Sequence, residues 1–193
     1  MVSDGLIGFK RHGRFGFMNV QGKIVIDPIY DGATNPNGKL MVVKLGPQVT
    51  VTNLQGKRIN DSLYTDGRTP LNNGIVAVAK EKKWGLVHIS GKTLVPCLYD
   101  DITWAAENRV FIKEKNTWRL TDYAGKQQGS FVFADVEAFS EGYARVRSSG
   151  NLGLLDMQGN WVLRPVYKNM TVVKDQQVIT FESFGGKDWP IKN

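Results

Sequence analysis

Apolar residues in this chain fall into short runs in which every second residue, or nearly every residue, is hydrophobic. No stretch of ten or more keeps the three-to-four spacing of an amphipathic helix, so the pattern predicts strands and almost no helix. One set of runs comprises LMVVKL (40–45), IVAVAK (75–80), RVFIKE (109–114) and YARVRS (143–148). A second set follows each after a basic or glycine-containing turn: RFGFMN, QVTVTN, KWGLVH, TWRLTD and NLGLLD. A third begins a few residues later, as KIVIDP, KRINDS, KTLVPC, KQQGSF and NWVLRP. Pro28, Pro96 and Pro165 lie near the ends of third runs, where a residue that cannot donate to a ladder marks an edge or a stop.

The runs repeat. Gly22, Gly56, Gly91, Gly125 and Gly159 recur at steps of 34, 35, 34 and 34 residues. Seven residues before each stands Phe15, Val49, Trp84, Trp118 or Leu152. Eight after each stands Tyr30, Tyr64, Tyr99, Phe133 or Tyr167, and three before each stands Asn19, Asn53, His88, Asp122 or Asp156. Several independent columns holding one period define an internal repeat. The 35-residue step places one extra residue in the turn-rich segment TDGRTPLNNG. A further column, Gly5, Gly38, Gly74, Asn108 and Gly142, marks where each repeat begins. The chain therefore reads as one domain over 1–193, with repeats at 5–37, 38–73, 74–107, 108–141 and 142–174 and a partial or capping repeat at 175–193. Between the second and third runs, an Asn/Asp-x-x-Gly turn uses a side chain to open the bend. Its glycine supplies the positive φ of a three-residue hairpin loop with a bulge.

The third repeat, KKWGLVHISGKTLVPCLYDDI, resembles the bacterial WG-repeat (KWG-repeat) family through Trp84, Gly85, Gly91, Lys92, Val95, Tyr99 and Asp100. The first matches through Phe15, Gly16, Gly22, Lys23, Pro28, Tyr30 and Asp31. The fifth matches through Gly153, Asp156, Gly159, Pro165 and Tyr167, and Phe139-Ser140-Glu141-Gly142 matches the junction between repeats. The Trp-Gly pair itself survives only at Trp84–Gly85. Val49–Thr50 and Trp118–Arg119 stand there in the second and fourth repeats, and His88 takes the usual Asp position. The resemblance implies a repeat scaffold for binding, with no catalytic residues to carry over. A 34-residue unit cannot bury its apolar face alone, so neighbours must stack. The expected fold class is all-β: tandem antiparallel hairpin or meander repeats in an open or partly closed array, with a propeller-like ring as the alternative. Phe15, Trp84 and Trp118 would form one core row, and the tyrosine column another.

Charge adds an asymmetry. The 25 Lys+Arg exceed the 18 Asp+Glu, and all of the net +7 falls in residues 1–97. Such a half-molecule is suited to an acidic protein, a nucleic acid or another polyanion. Lys23, Lys57, Lys92 and Lys126 follow the turn glycines and would line one rim, broken at Asn160. Lys10, Arg11, Arg14, Lys44, Lys80, Lys82 and Lys83 cluster at the first hairpin tips. Trp161 lies at a position where the other repeats are mostly polar, and Trp104 lies in the loop after Tyr99; exposed, each would suit an interface or a carbohydrate. Trp189 is expected to cap the last repeat.

Catalytic and cofactor chemistry finds little support. Cys97, the sole cysteine, excludes an internal disulfide and reads as a buried, inert thiol. His88 reads as a turn-capping residue, and Asp100 and Asp101 as loop-structuring carboxylates. No phosphate-loop or zinc motif occurs, so no enzyme, metal or cofactor is expected. No run approaches 18 apolar residues and the start, MVSDGLIGFKRHGRFG, lacks an apolar signal core, so a cytoplasmic location without membrane insertion is expected. The expected function is a non-catalytic scaffold for protein–protein interaction, as in an immunity or adaptor protein. The alternatives are a polyanion or nucleic-acid binder and a carbohydrate binder.

Overall fold

The computed structural model describes residues 2–71, 73–104, 108–139, 142–173 and 178–183, with side chains through residue 170 except at 104. Every element described is a strand, and all pairing is antiparallel. The chain forms two compact bodies, Met1–Asp100 and Asp101–Asn193.

The first body holds three sheets. One orders β1 (Val2–Ser3), β2 (Leu6–Arg11), β3 (Arg14–Asn19) and β4 (Ile24–Tyr30) in sequence. The next holds β5 (Gly32–Ala33), β6 (Leu40–Leu45) and β7 (Gln48–Asn53). The third holds β8 (Asp66–Gly67), β9 (Ile75–Lys80), β10 (Lys83–His88) and β11 (Thr93–Tyr99). The second body holds two. One is β12 (Asp101–Trp104), β13 (Arg109–Glu114) and β14 (Thr117–Asp122). The other is β15 (Asp135–Val136), β16 (Tyr143–Ser148), β17 (Asn151–Asp156), β18 (Trp161–Val173) and β19 (Val178–Ser183). The first two strand runs of the sequence are thus β2, β3 and their repeats, and the expected antiparallel meander is observed; the third run forms a strand in the first, third and fifth repeats (β4, β11, β18), whereas KRINDS and KQQGSF of the second and fourth make only isolated bridges.

The tail of each repeat forms a short strand in the sheet of the next. Gly32 pairs with Lys44, Asp66 with Ala79, Asp101 with Lys113 and Asp135 with Arg147. Successive repeats are therefore joined by backbone hydrogen bonds as well as by packing. The partial repeat at the C-terminus contributes β19, which pairs along β18. Trp189 lies outside the described residues, as do Ser140 and Glu141 of the repeat junction.

Interior strands bury both faces. Leu40–Val43 of β6 and Ile75–Ala79 of β9 are buried without a break, whereas β2 and β16 alternate. The cores lie between repeats. Leu6, Phe17 and Ile26 of the first meet Met41 and Val43 of the second, and Leu40, Val42, Val49, Val51 and Tyr64 of the second meet Val76, Val78 and Val87 of the third. This is the mutual stabilisation that a short repeat requires.

The two aromatic columns are cross-strand partners. Phe15 faces Tyr30, Val49 faces Tyr64, Trp84 faces Tyr99, Trp118 faces Phe133 and Leu152 faces Tyr167. Phe15 and Trp84, expected in the core, are only half-buried. Cations cover them instead: Lys10 Nζ lies 4.9 Å from the Phe15 ring centre, and the Arg68 guanidinium 4.0 Å from that of Trp84.

Candidate functional site

One turn is built five times. In each, the glycine N–H donates to the carbonyl three residues back, as Gly22 N does to Asn19 O at 3.0 Å. The opening residue's N–H donates to the carbonyl four on, as Asn19 N does to Lys23 O at 2.9 Å. The opening side chain accepts from the same backbone groups: Asn19 Oδ1 from Gln21 N and Lys23 N, and Asp122 Oδ1 from Ala124 N and Lys126 N. The five glycines have φ between 77° and 84°. His88 fills the role by accepting from Ser90 N at Nδ1, 3.2 Å away. It is bound into its turn, as the sequence suggested.

This turn fixes the backbone under Lys23, Lys57, Lys92 and Lys126, whose side chains are exposed and form no ion pair among the described residues. In the first body the turns stack. A Cβ on Gly56 would lie 3.4 Å from Ile26 of the preceding repeat, and one on Gly91 would overlap the carbonyl oxygen of Ile59. Lys23, Lys57 and Lys92 therefore stand on successive, packed turns. Lys126 belongs to the second body.

The second basic cluster lies at the opposite end of the same sheets. Antiparallel strands of six residues separate the hairpin tips from the turns by about 17 Å. Lys83 pairs with Asp100, Arg14 with Asp31, and Lys80 Nζ approaches Ser62 Oγ at 3.5 Å. Lys82 projects from a two-residue tip in which it and Glu81 both have positive φ, 65° and 49°. Glycine or asparagine suits that conformation far better. The structure thus divides the predicted lysines between two ends of the sheets.

Trp161 is half-buried, with ring centres 5.2 Å from Phe131 and 5.9 Å from Phe133, so it packs within its body rather than standing exposed. Trp104 ends β12 opposite Val110, and its side chain lies outside the described residues. Asp100 is used by Lys83, and Asp101 Oδ1 accepts from Ile102 N. Cys97 packs beside the core between the second and third repeats, its Sγ 3.6 Å from Val78 O, and burial raises its thiol pKa. Among the described residues no cluster of three His, Cys, Asp or Glu side chains could hold a metal.

Two features escaped the sequence reading. One is a cleft of about 370 Å³ in the second body, whose lining includes Asp135, Glu137, Arg145, Arg147, Asn169 and Met170. Arg145 occupies a strand position held by Gly8, Val42, Ala77 and Phe111 in the other repeats, and it donates to Glu137 and to the Met170 carbonyl. The other is a column of exposed apolar residues directly before the tyrosine column: Ile29, Leu63, Leu98, Val132 and Val166. Its signal was present in the sequence, since all five copies carry Ile, Leu or Val there.

The folded chain is an all-β tandem-repeat scaffold. Its segments 15–46, 84–118 and 130–151 match the family described as WG containing repeat, in line with the resemblance read from its sequence. No curated protein matches its sequence. Similar solved structures include Hsv2 of Kluyveromyces marxianus, with 13% identity, TM-score 0.54 and coverage of 95% of this chain and 65% of that one. Hsv2 of Kluyveromyces lactis gives 12%, 0.52, 81% and 59%, and a eukaryotic initiation factor gives 9%, 0.52, 83% and 52%. The chain thus spans less than two thirds of each. The Hsv2 proteins are β-propeller-like, and the likeness is one of fold.

Proposed function

We propose that this protein is a non-catalytic scaffold that binds another protein, and that the partner presents acidic groups. The observation that carries the reading is the row of Lys23, Lys57 and Lys92 on stacked turns of one body, held by identical backbone geometry and in no ion pair among the described residues. The shared turn sets the three lysines at equivalent backbone positions, and a row of like charges can steer an acidic partner. A cytoplasmic adaptor or immunity role fits this reading.

The test is affinity capture from the native cell at moderate salt, with wild type and with K23E/K57E/K92E. A saturable protein partner that the variant loses supports the reading. Capture of nucleic acid instead, with affinity falling steeply with salt, would replace it with the polyanion reading. Failure to recover any saturable partner, or equal recovery by the variant, removes it.

A further inference from the structure

Among the described residues, one sheet face of the first repeat lacks the cover that its counterparts have. Leu6, Phe17 and Ile26 turn toward the second repeat. By strand alternation Ile7, Phe9 and Met18 turn the other way. Pairing carries that face across the whole sheet: Val2 stands opposite Ile7, Ile7 opposite Met18, and Met18 opposite Ile24. Opposed residues share a face, so these four make one apolar row over β1–β4. Phe9 lies beside the row, opposite Gly16. Val2 is 55% exposed, Val20 of the adjoining turn 57% and Ile24 41%, while Ile7, Phe9 and Met18 are half-buried.

The other repeats show what belongs on this face. At the positions of Ile7, Phe9 and Met18, the second to fifth repeats hold residues at most 3% exposed. Met41 and Val43 pack on the sheet of the first repeat, and Val76, Val78 and Val87 on that of the second. Leu54 and Ile89, at the position of Val20, join the same two cores. Trp161, at the position of Ile24, packs on Phe131 and Phe133 of the fourth repeat. In each case the cover is another sheet of this repeat.

A repeat face left to solvent needs polar residues. The fifth repeat supplies them on its other face, where Arg145 and Arg147 alternate with the buried Ala144 and Val146. Tyr167 and Met170 already cover Leu152 and Leu154 there, so a second copy has no free sheet of that kind to stack head to tail. The open face of the first repeat goes the opposite way: Ile24 stands where the next three repeats have Arg58, Thr93 and Gln127. A patch of this kind marks an interface, and one without charge meets its own image across a two-fold axis without repulsion.

We propose that this face pairs with the same face of a second copy, first repeat on first repeat, in a two-fold dimer. This step does not rest on the acidic-partner reading. Strands of six residues in a four-stranded sheet cover about 20 Å by about 20 Å, roughly 400 Å² per copy. That is below the standard interface size, so the dimer is reversible and its fraction rises with concentration.

The experiment is sedimentation velocity over about a hundredfold range of concentration into the high micromolar. Wild type is expected to move from monomer to dimer and no further. V20D/I24D sets carboxylates into the contact and is expected to weaken the dimer tenfold or more. L98D/V132D adds the same charge at exposed aliphatic positions of the third and fourth repeats, and is expected to dimerise as wild type does. Thermal unfolding confirms that each variant is folded, and Val20→Lys alone, at the most exposed position of the face, is expected to weaken the dimer as well. A wild type that stays monomeric, a dimer retained by V20D/I24D, equal loss in L98D/V132D, or growth beyond the dimer overturns the proposal.

Discussion

The odd and even repeats share one period and one turn, yet they solve the third strand differently. In the first, third and fifth, the residue after the Trp-column position is Gly16, Gly85 or Gly153, and the third strand is a full strand, β4, β11 or β18. In the second and fourth it is Thr50 or Arg119, and the third strand shrinks to isolated bridges, Val49–Tyr64 with Thr52–Arg58 and Trp118–Phe133 with Thr121–Gln127. The end registers are the same in both kinds. What changes is the path between. In the odd repeats the strand bulges so that its backbone passes over the glycine, and a Cβ on Gly85 would sit 2.5 Å from Val95 O and 2.8 Å from Cys97 N. The glycine of the family motif is there because backbone, rather than side chain, occupies the space above it.

The largest break in that comparison is Gly85→Ala. The clash is with main chain, which cannot rotate away, so destabilisation of about 3 kcal/mol or more is expected in urea unfolding. Thr50→Gly in the even repeat should give no gain of comparable size, because no third strand waits to close over it. A smaller contrast separates the turn glycines. Gly22→Ala meets open space and costs only the left-handed backbone, about 1–2 kcal/mol. Gly91→Ala has that cost plus overlap with Ile59 O of the even repeat packed on it, and should lose about 1–3 kcal/mol more. Equal effects at the two sites would refute the stacking of the even loop on the odd turn.

These contrasts also show what the sequence could reveal. The period, the strand runs and the five turns were legible because each depends on local chemistry: alternation, an Asn or Asp side chain over its own backbone, and a positive φ. Even the start column holds, since Gly5, Gly38, Gly74, Asn108 and Gly142 all have positive φ, and Asn108 is the residue most tolerant of it after glycine. The odd–even difference was visible as missing Trp-Gly pairs, but its meaning needed the path of the third strand. The half-burial of Phe15 and Trp84 was not legible, because the covering cations arrive from other segments, Lys10 from β2 and Arg68 from just beyond β8. For the site, the sequence separated the turn lysines from those at the hairpin tips, since turn position is local, but not the pairing of Lys83 with Asp100. The outward direction of the apolar column was not legible, because an aliphatic residue in a short apolar run does not show which face it takes.

The even repeats hold a further asymmetry. Thr52 of β7 is buried, and its hydroxyl has no hydrogen-bond partner. The aligned Thr121 donates to Val110 O at 3.3 Å. Thr52→Val removes an unsatisfied polar atom at nearly constant volume and should stabilise by about 1 kcal/mol, whereas Thr121→Val should be neutral or mildly destabilising. Unfolding midpoints of the two variants measure the difference. A shift of the same sign and size in both would show that the hydroxyls are equivalent.

The smallest effect concerns a clasp found in the first and third repeats, where the fifth has Asn151 with Lys168. Asp31 accepts from Gly46 N at 2.7 Å and pairs with Arg14, and Asp100 pairs with Lys83, whereas the even repeats have Gln48 with Thr65 and Thr117 with Ala134 at those positions. The Gly46 N–H, then the Arg14 guanidinium, holds the Asp31 carboxyl below its ordinary pKa. A carboxylate favoured in the folded state binds its proton later than in the unfolded chain. Its stabilisation is therefore complete above the ordinary carboxylate range and is lost as pH falls through the depressed folded value. The clasp is solvent-exposed, so the effect is small and salt should weaken it further. Asp31→Asn should flatten the acid limb of stability against pH slightly, as read by urea unfolding across the acid range at low salt. An unchanged acid limb in Asp31→Asn at low salt would show that the hydrogen bond across to the second repeat's hairpin contributes nothing to holding the two repeats together.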